Sequence, residues 1–280
     1  VWPAAMIVWG PGFVSTPHRH HCVQLVMTLA GTLRVRAGPT QPWRRCGAAL
    51  VRPDAQHEVD AREGTVLIAF IEAESELGAA LCDEIRGDIA AVNPHRVARW
   101  RETLRERPSQ ASVVQWLNEN LLQRRRAVEL DARVQRVVSH VRSRLAGGDS
   151  LSLESLAVVA GMSSGRFMHL FTQSLGVPVR PYIRWLRLQL AACELMDGAT
   201  ASMAAHRAGF SDAAHMTRTF RNMLGTTPSD LAMRTRLATG VSVDARAPKS
   251  SLTGASAPPG TAPVCRLVDR QIHPMVDCHP

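Results

Sequence analysis

The sequence predicts an α+β protein with two folded domains, a small N-terminal β-barrel and a C-terminal all-α domain, joined by a helical linker. Between residues 22 and 72, apolar residues either alternate with polar ones or form short continuous runs, as they do in strands. Between about 76 and 237 the apolar residues recur at helical spacing instead. Within this second region, one pattern of two helices joined by a tight turn occurs twice.

Length and composition are those of a folded protein without a membrane span. A chain of 280 residues, 45% of them hydrophobic, can bury the cores of two domains. No apolar stretch reaches transmembrane length and no charged-then-apolar leader opens the chain. The sequence therefore predicts a cytoplasmic protein with no membrane partner. We expect reduced thiols, because no CxxC pair occurs among Cys22, Cys46, Cys82, Cys193, Cys265 and Cys278.

The positive charge is concentrated in one part of the chain. Residues 131–237 carry 13 basic and 7 acidic side chains, so 6 of the 9 net positive charges lie there. A local basic excess is typical of a domain that binds nucleic acid. The alternative is an ordinary solvated surface in an arginine-rich composition, since Lys249 is the only lysine.

The strand pattern predicts a β-sandwich or small barrel in the first part of the chain. The stretches "CVQLVMTLA" and "TLRVRAG" lie on either side of Ala30-Gly31, and "TVLIAFIE" at 65–72 is apolar enough to be buried on both faces. After residue 237, large apolar residues become rare, which predicts disorder. The predicted organisation is a β-barrel at 1–75, a helical linker at 76–130, a helical domain at 131–237 and a disordered tail at 238–280.

The repeated helix pair follows the pattern of a helix-turn-helix unit. The first copy is "SLESLAVVAGMSSGRFMHLFTQSLG" and the second is "TASMAAHRAGFSDAAHMTRTFRNMLG". Each begins with an N-cap residue, Ser152 or Thr200, and carries a glycine at the turn, Gly161 or Gly209. The helix predicted at 181–196 would hold the two units apart, so that both could enter successive major grooves about 34 Å apart. A plain helical bundle is the alternative.

The C-terminal part resembles regulators of the AraC/XylS family. The resemblance covers about 131–234 and depends on "LESLAVVAGMSSGRFMHLF", "YIRWLRL" and "AGFSDAAHMTRTFRNMLGTTPSDL". It implies two helix-turn-helix units that bind double-stranded promoter DNA, and a contact with RNA polymerase if the protein is an activator. The resemblance also implies a possible homodimer, because in this family the region before the DNA-binding domain usually holds a dimerisation helix.

By position, the resemblance assigns DNA contacts to two recognition helices. Arg166 and Arg218 are the strongest candidates for base edges, because a guanidinium can pair with guanine through two hydrogen bonds. Thr217 and Arg221 are better placed for phosphates. The full set is Ser164, Gly165, Arg166 and His169 in the first helix, and Asp212, Ala213, Ala214, His215, Thr217, Arg218 and Arg221 in the second.

Histidines gather near the start of the predicted barrel. His18 and His20 are two residues apart and therefore lie on one face of a strand, while His21 is on the other face and is expected to be solvated. The spacing from Gly12 to Gly31 resembles the first cupin motif, with Gln24 at the usual glutamate position. The stretch "LVRPDAQHEV" resembles the second cupin motif and ends near His57. The resemblance implies a cupin-like sensor barrel.

Three roles for His18, His20, Gln24 and His57 remain open from the sequence. They could form a polar pocket for a small-molecule effector, hold a divalent metal ion, or satisfy one another structurally. Three imidazoles suffice for zinc, nickel, copper or iron, although glutamine in place of a carboxylate weakens such a site.

The sequence favours a regulator that is not an enzyme. A metal-dependent cupin enzyme, or a metal sensor fused to the DNA-binding domain, is the alternative, with Glu58 and Asp60 as nearby acids. The apolar stripe of residues 76–130 fits either a dimerisation helix or a helix that covers the barrel.

Overall fold

The computed structural model describes residues 5–121, 123, 126–146 and 151–237. The predicted tail at 238–280, with Cys265 and Cys278, lies outside the described residues. The description that follows concerns the described part alone.

The N-terminal domain consists of two antiparallel sheets that face each other. The larger sheet has the strand order β1-β7-β2-β5-β8 and the smaller has the order β4-β3-β6. The strands are β1 (Ala5–Pro11), β2 (Cys22–Ala30), β3 (Leu33–Arg36), β4 (Arg44–Cys46), β5 (Ala48–Val51), β6 (Glu58–Asp60), β7 (Thr65–Glu72) and β8 (Ile89–Ala91).

This arrangement confirms the predicted β class of the N-terminal domain. In the described residues the two sheets are not joined into one closed ladder, and single bridges pair Val14 with Asp60 and His18 with His57. The domain is therefore an open, flattened barrel. Residues from both sheets fill its interior, including Val26, Leu33 and Val59, each fully buried.

Three helices cover the outer face of the larger sheet: α1 (Glu76–Cys82), α2 (Pro94–Leu104) and α3 (Gln110–Asn120). Their apolar side chains, among them Leu81, Trp100 and Trp116, form one buried cluster with Leu25 and Ile71 of the sheet. The rings of Trp100 and Trp116 meet edge to face, 5.5 Å apart. Packing on the sheet therefore accounts for the apolar stripe of these helices.

The C-terminal domain is all helical, as predicted. Its helices are α4 (Ala132–Ala146), α5 (Leu153–Ala160), α6 (Ser164–Leu175), α7 (Val179–Met196), α8 (Ala201–Arg207), α9 (Ala213–Leu224) and α10 (Pro228–Leu237). Helices α5 and α6 form one helix-turn-helix unit, α8 and α9 form the other, and α7 connects them.

The predicted caps explain why each unit turns where it does. The hydroxyl of Ser152 accepts from the amide of Ser155, and that of Thr200 accepts from the amide of Met203. Gly161 ends α5 in the left-handed conformation, with φ of 68°. In the second unit Ala208 ends α8, and the left-handed residue is the following Gly209, with φ of 74°.

One hydrophobic core runs through both domains. The rings of Phe167, Phe171 and Tyr182 stack edge to face at 5.6 and 5.5 Å in the helical domain. Trp185, on α7, extends this core to Phe70 of β7, with 5.9 Å between ring centroids. The two domains are therefore packed against each other rather than tethered.

Candidate functional site

The two recognition helices, α6 and α9, present polar faces to solvent. Each packs its apolar side into the domain, through Phe167 and Phe171 in α6 and through Met216 and Phe220 in α9. None of the predicted DNA-contact residues is buried. Gly165, Arg166, His169, Asp212, Ala214, Arg218 and Arg221 are exposed, and Ser164, Ala213, His215 and Thr217 are partly exposed.

Some of these residues also shape the start of α9. The carboxylate of Asp212 caps the helix by accepting from the amide of His215 at 2.6 Å. That hydrogen bond lowers the pKa of Asp212. The hydroxyl of Thr217 donates to the carbonyl of Ala213 at 2.8 Å, so only its oxygen lone pairs are left for an outside donor. Arg218 and Arg221 are both exposed on this helix.

The opposite, C-terminal ends of both recognition helices contact one short stretch of the β-domain, residues 15–21, which we term the clasp segment. The amide of Thr16 donates to the carbonyl of Gly225 at 3.0 Å, and the amide of Arg19 to that of Asn222 at 3.4 Å. These acceptors are at the end of α9. His21 Nε2 lies 3.0 Å from the carbonyl oxygen of Leu175, at the end of α6.

The expectation that His21 is solvated is wrong. Its side chain is 10% exposed, and its Nδ1 lies 2.6 Å from Asp54 Oδ2. Both partners of the ring are acceptors, so the charged form of His21, with a hydrogen on each ring nitrogen, can donate to both. Burial lowers the pKa of His21, but the hydrogen bond and charge of Asp54 outweigh it and raise the pKa above its ordinary value. His21 precedes β2, which begins at Cys22, and it lies at the domain interface, so strand alternation does not predict its exposure.

The structure brings His18, His20, Gln24 and His57 together at the end of the barrel interior. All four are buried, with exposures between 0% and 4%. One ring nitrogen of each histidine lies within 4.8 Å of one from each of the others. The Oε1 atom of Gln24 is 2.8 Å from His20 Nε2 and 3.0 Å from His57 Nε2.

Backbone carbonyls fix the orientation of two of these rings. His18 Nδ1 donates to Thr16 at 2.8 Å, and His57 Nδ1 donates to Ala55 at 2.9 Å. Burial lowers the pKa of His18 to about 3 and that of His57 well below its ordinary value, and it also lowers the pKa of His20. The rings are therefore neutral at pH 7, and the Nε2 atoms of His18 and His57 carry lone pairs. Neutral imidazole is the form that ligates a metal ion.

The histidine cluster is closed by the helical domain. The ring of His20 meets Phe70 edge to face at 5.4 Å and lies 5.9 Å from the ring of Trp185. Glu58 and Asp60 do not join the cluster, because Glu58 binds Arg36 and Asp60 binds Arg34 and Arg62. In the described part of the chain, the residues that could share a metal ion are histidines alone.

Three cavities lie elsewhere on the described part of the β-domain. One, of about 60 Å³, is apolar and lies between β1 and β7 and the ends of α9 and α10, with Phe13, Leu224 and Leu231 in its lining. The second, of about 350 Å³, is lined in part by Arg36 and Arg44, and by residues 86–89. The third, of about 380 Å³, has a lining of mixed charge: Thr32, Arg34, Arg45, Asp60, Arg62 and Glu63. Pockets for small-molecule ligands span roughly 300–1,000 Å³, so the second and the third have that size.

A buried ion pair joins the two domains near the histidine cluster. Arg142 of α4 donates to the carboxylate of Glu72 on β7, and to the hydroxyl of Tyr182 on α7 at 3.0 Å. Burial raises the pKa of Glu72 to about 8 despite this arginine, and the nearby charge of Glu74 adds to the rise.

Glu72 should make the protein less stable as the pH rises. Its ordinary pKa is 4.5 and its folded pKa about 8, so between these values the folded chain holds a proton that the unfolded chain has released. Stability contributed by this proton is full below about pH 4.5 and is lost as the pH rises through 8. We expect the free energy of unfolding of Glu72→Gln to fall less than that of the wild type between pH 5 and 8, measured by urea denaturation. Parallel curves for the two proteins would contradict the raised pKa.

Sequence patterns do not indicate which residues join the two domains. Thr16, Gly225 and Leu175 act through backbone groups, which every residue type carries. Glu72 and Arg142 are separated by 70 residues and lie in segments predicted separately.

Comparison with known proteins agrees with this architecture. Residues 156–234 match the family model of a helix-turn-helix domain. A structure of ToxT from Vibrio cholerae is similar over 85% of this chain and 100% of its own, with a TM-score of 0.52 and 11% identity. Apo ToxT from the same organism gives 0.52 at 9% identity, over 83% of this chain and 98% of its own.

A third solved structure resembles the C-terminal part only. It is an AraC-type transcriptional regulator from Chromobacterium violaceum, 26% identical over 37% of this chain and 91% of its own, with a TM-score of 0.35. The family match and the two helix pairs at α5–α6 and α8–α9 agree, so residues 156–234 form a helix-turn-helix domain. No helix in the described residues is long and apolar enough to span a membrane.

Proposed function

We propose that this protein is a sequence-specific transcription regulator whose β-domain takes a small-molecule effector and whose two recognition helices bind one promoter site. One observation carries the proposal: the predicted contact residues other than Arg221 lie at the N-caps or in the N-terminal halves of α6 and α9 and none of them is buried, while the C-terminal ends of both helices contact the β-domain. The N-terminal ends of α6 and α9 are thus free to contact DNA. Their C-terminal ends contact the β-domain, so an effector bound to that domain can act on them.

Each recognition helix supplies one arginine suited to a base edge. Arg166 is in the first turn of α6 and Arg218 is in the second turn of α9, and both are exposed. A guanidinium can donate two hydrogen bonds to the O6 and N7 atoms of guanine. Arg221 lies one turn later in α9 and is better placed for a phosphate, which fixes position without reading sequence.

The arginine-lined cavity of the β-domain supports an anionic effector. Its size of about 350 Å³ suits a small molecule, and its lining holds Arg44 and Arg86 against one acidic residue, Asp88, which favours a carboxylate or phosphate group. Arg36, also in the lining, is paired with Glu58. ToxT, at 10% identity and a TM-score of 0.50, has been solved with (E)-4-(8-methylnaphthalen-1-yl)but-3-enoic acid bound. An effector regulates this protein only to the extent that it binds one domain arrangement more tightly than another.

The proposal includes a homodimer and, for an activator, a contact with RNA polymerase. A dimer surface has to lie outside the apolar stripes of α1, α2 and α3, because these are buried on the sheet. Sedimentation of the purified protein with and without DNA measures the oligomeric state directly. A cupin enzyme is less favoured, because Glu58 and Asp60 are bound to arginines and are not aimed at the histidines.

The experiment compares Arg218→Ala with Arg221→Ala on DNA selected by the wild-type protein from a random 30-base-pair pool. We expect Arg218→Ala to weaken binding to the selected sequence by about 10- to 100-fold, the cost of one lost bidentate base contact, and to relax sequence preference at one position. Arg221→Ala should weaken binding to selected and random DNA alike and reduce the salt slope by about one. Fluorescence anisotropy at several salt concentrations measures both.

If the selection yields no preferred sequence, the proposed function is wrong. If Arg218→Ala binds the selected and random DNA as the wild type does, the assignment of α9 as a recognition helix is wrong.

A further inference from the structure

We propose that the outer edge of strand β8 is a dimer interface, at which β8 of one protomer pairs antiparallel with β8 of a second copy of this chain. The pairing would join the two larger sheets into one continuous sheet across the dimer. This inference deepens the homodimer of the proposed function by naming its surface, and its tests use no DNA.

The register of β8 decides which of its backbone groups face outward. The amide of Val92 donates to a carbonyl of β5, and the carbonyl of Asp88 accepts from the residue that follows β5, both at 2.9 Å. Alternate residues of an antiparallel strand bond to the same neighbour, so Ala90, between these two, also bonds to β5. The amides and carbonyls of Ile89 and Ala91 therefore point away from the sheet.

These outward groups have room for a further strand. Among the residues that the structure describes, none forms a backbone hydrogen bond with the outer side of β8. Ile89 is partly exposed and Ala91 is exposed. The cavity of about 350 Å³ has both Ile89 and Arg44 of β4 in its lining, so the two sheets do not pair with each other here. The edge thus presents two amides and two carbonyls to solvent.

The other sheet edges of the described chain are covered or protected. Helix α10 lies against β1, and Ser15 covers β6, where its amide donates to the carbonyl of Val59 at 2.9 Å. Strand β4 is exposed but carries Arg44 and Arg45, and charged side chains on an edge oppose pairing with another strand. Strand β8 consists of Ile-Ala-Ala, with neither a charge nor a proline. An exposed edge without such protection indicates a strand partner.

A second copy suits this edge because the edge is complementary to itself. In a two-fold arrangement centred on Ala90, Ile89 lies opposite Ala91 of the partner subunit, and Ala91 lies opposite Ile89 of the partner subunit. Each of these pairs exchanges two backbone hydrogen bonds. A symmetric pairing also closes after two copies, whereas a head-to-tail contact would continue into a filament.

The charges at the two ends of β8 are complementary as well. Asp88 comes directly before the strand, and α2 begins at Pro94, shortly after it. In the antiparallel pair, Asp88 of each protomer therefore lies near the first turn of the partner's α2. That turn contains no acidic residue and includes the exposed His95, and a helix N-terminus favours a nearby negative charge. The two-fold axis makes this contact twice.

The first test removes one outward amide from the full-length protein. Ala91→Pro deletes the outward N–H and leaves the bonds to β5, and Ala91→Thr is the matched control because threonine keeps the N–H and favours strands. Sedimentation equilibrium measures the dimer dissociation constant, and circular dichroism checks that both variants fold. We expect Ala91→Pro to raise the constant at least about tenfold, because each dimer loses two hydrogen bonds, and Ala91→Thr to change it less than about threefold.

The second test reverses one charge and leaves the backbone of β8 intact. Asp88→Lys brings a positive charge to the N-terminus of the partner's α2, so it should raise the dissociation constant about tenfold at low salt and less at high salt. Glu63→Lys is the control, because Glu63 is exposed on the turn between β6 and β7 and the change in net charge is the same. It should alter the constant by less than about twofold.

Hydrogen exchange locates the interface in the unaltered protein. The amides of Ile89 and Ala91 should exchange more slowly as the protein concentration rises through the dissociation constant. The amide of Ala90 is bonded to β5 in the monomer, so its exchange should not depend on concentration.

A protein that stays monomeric up to its solubility limit would overturn the proposal, and would leave the edge free for a strand of another protein. A dimer that Ala91→Pro and Asp88→Lys leave unchanged, or exchange at Ile89 and Ala91 that is independent of concentration, would also overturn it. Failure of these tests is distinct from failure of the DNA selection, because each experiment can succeed without the other.

Discussion

Replacing Phe171 with alanine is expected to lower the free energy of unfolding by about 3–5 kcal/mol, the usual cost of removing a fully buried aromatic ring. Phe171 is fully buried, and its ring meets those of Phe167 and Tyr182, so its loss leaves a cavity between α6 and α7. Urea denaturation followed by circular dichroism measures the change. Because α6 carries Arg166, the affinity for selected DNA should fall as well.

Val158→Ala is the matched control in the same helix-turn-helix unit. Val158 is 78% exposed on α5, so its truncation should change stability by less than about 0.5 kcal/mol. If Phe171→Ala and Val158→Ala had similar stabilities, the aromatic core of the first unit would be wrongly assigned.

Replacing Trp185 with alanine should have an effect of similar size, about 3–5 kcal/mol, and should also loosen the domain interface. Trp185 is 2% exposed and contacts Phe70 and His20 of the β-domain from its place on α7. The substitution removes contacts across the domain interface as well as buried apolar area. We therefore expect faster amide exchange at Thr16 and Arg19, in addition to a lower denaturation midpoint.

Trp43→Ala provides the comparison with a tryptophan outside the core. Trp43 is partly exposed, and the guanidinium of Arg36 stacks on it 4.6 Å from the ring centroid. A cation–π contact at an exposed site contributes about 0.5–1 kcal/mol, so the loss should be several times smaller than for Trp185. Unchanged exchange at Thr16 in Trp185→Ala would show that α7 does not hold the β-domain in place.

The helix-turn-helix units could be predicted from the sequence because their signals are local. Ser152, Thr200, Gly161 and Gly209 each act within a few residues of themselves, by capping a helix or by adopting a positive φ. The longer strands were predictable for the same reason, since alternation and apolar runs are properties of short stretches. The short strand β8 carries too few residues to show a pattern.

The histidine cluster was predictable in part. Spacing placed His18 and His20 on one face, and the motif resemblance brought in Gln24 and His57. The contact between this cluster and Trp185 was not predictable, because no local pattern in the β-domain or in α7 indicates which surfaces of the two domains meet. The amides of Thr16 and Arg19 in the clasp segment bond carbonyls about 200 positions away through backbone atoms, which leave no trace in residue type.

The C-terminal ends of both recognition helices contact the same seven residues, the clasp segment. Thr16 and Arg19 hold the end of α9 and His21 holds the end of α6, so a displacement of residues 15–21 acts on the two DNA-reading units at once. The two half-sites of an operator would then be engaged or released together. Under the proposed function, the two units would respond to an effector together, in a single step.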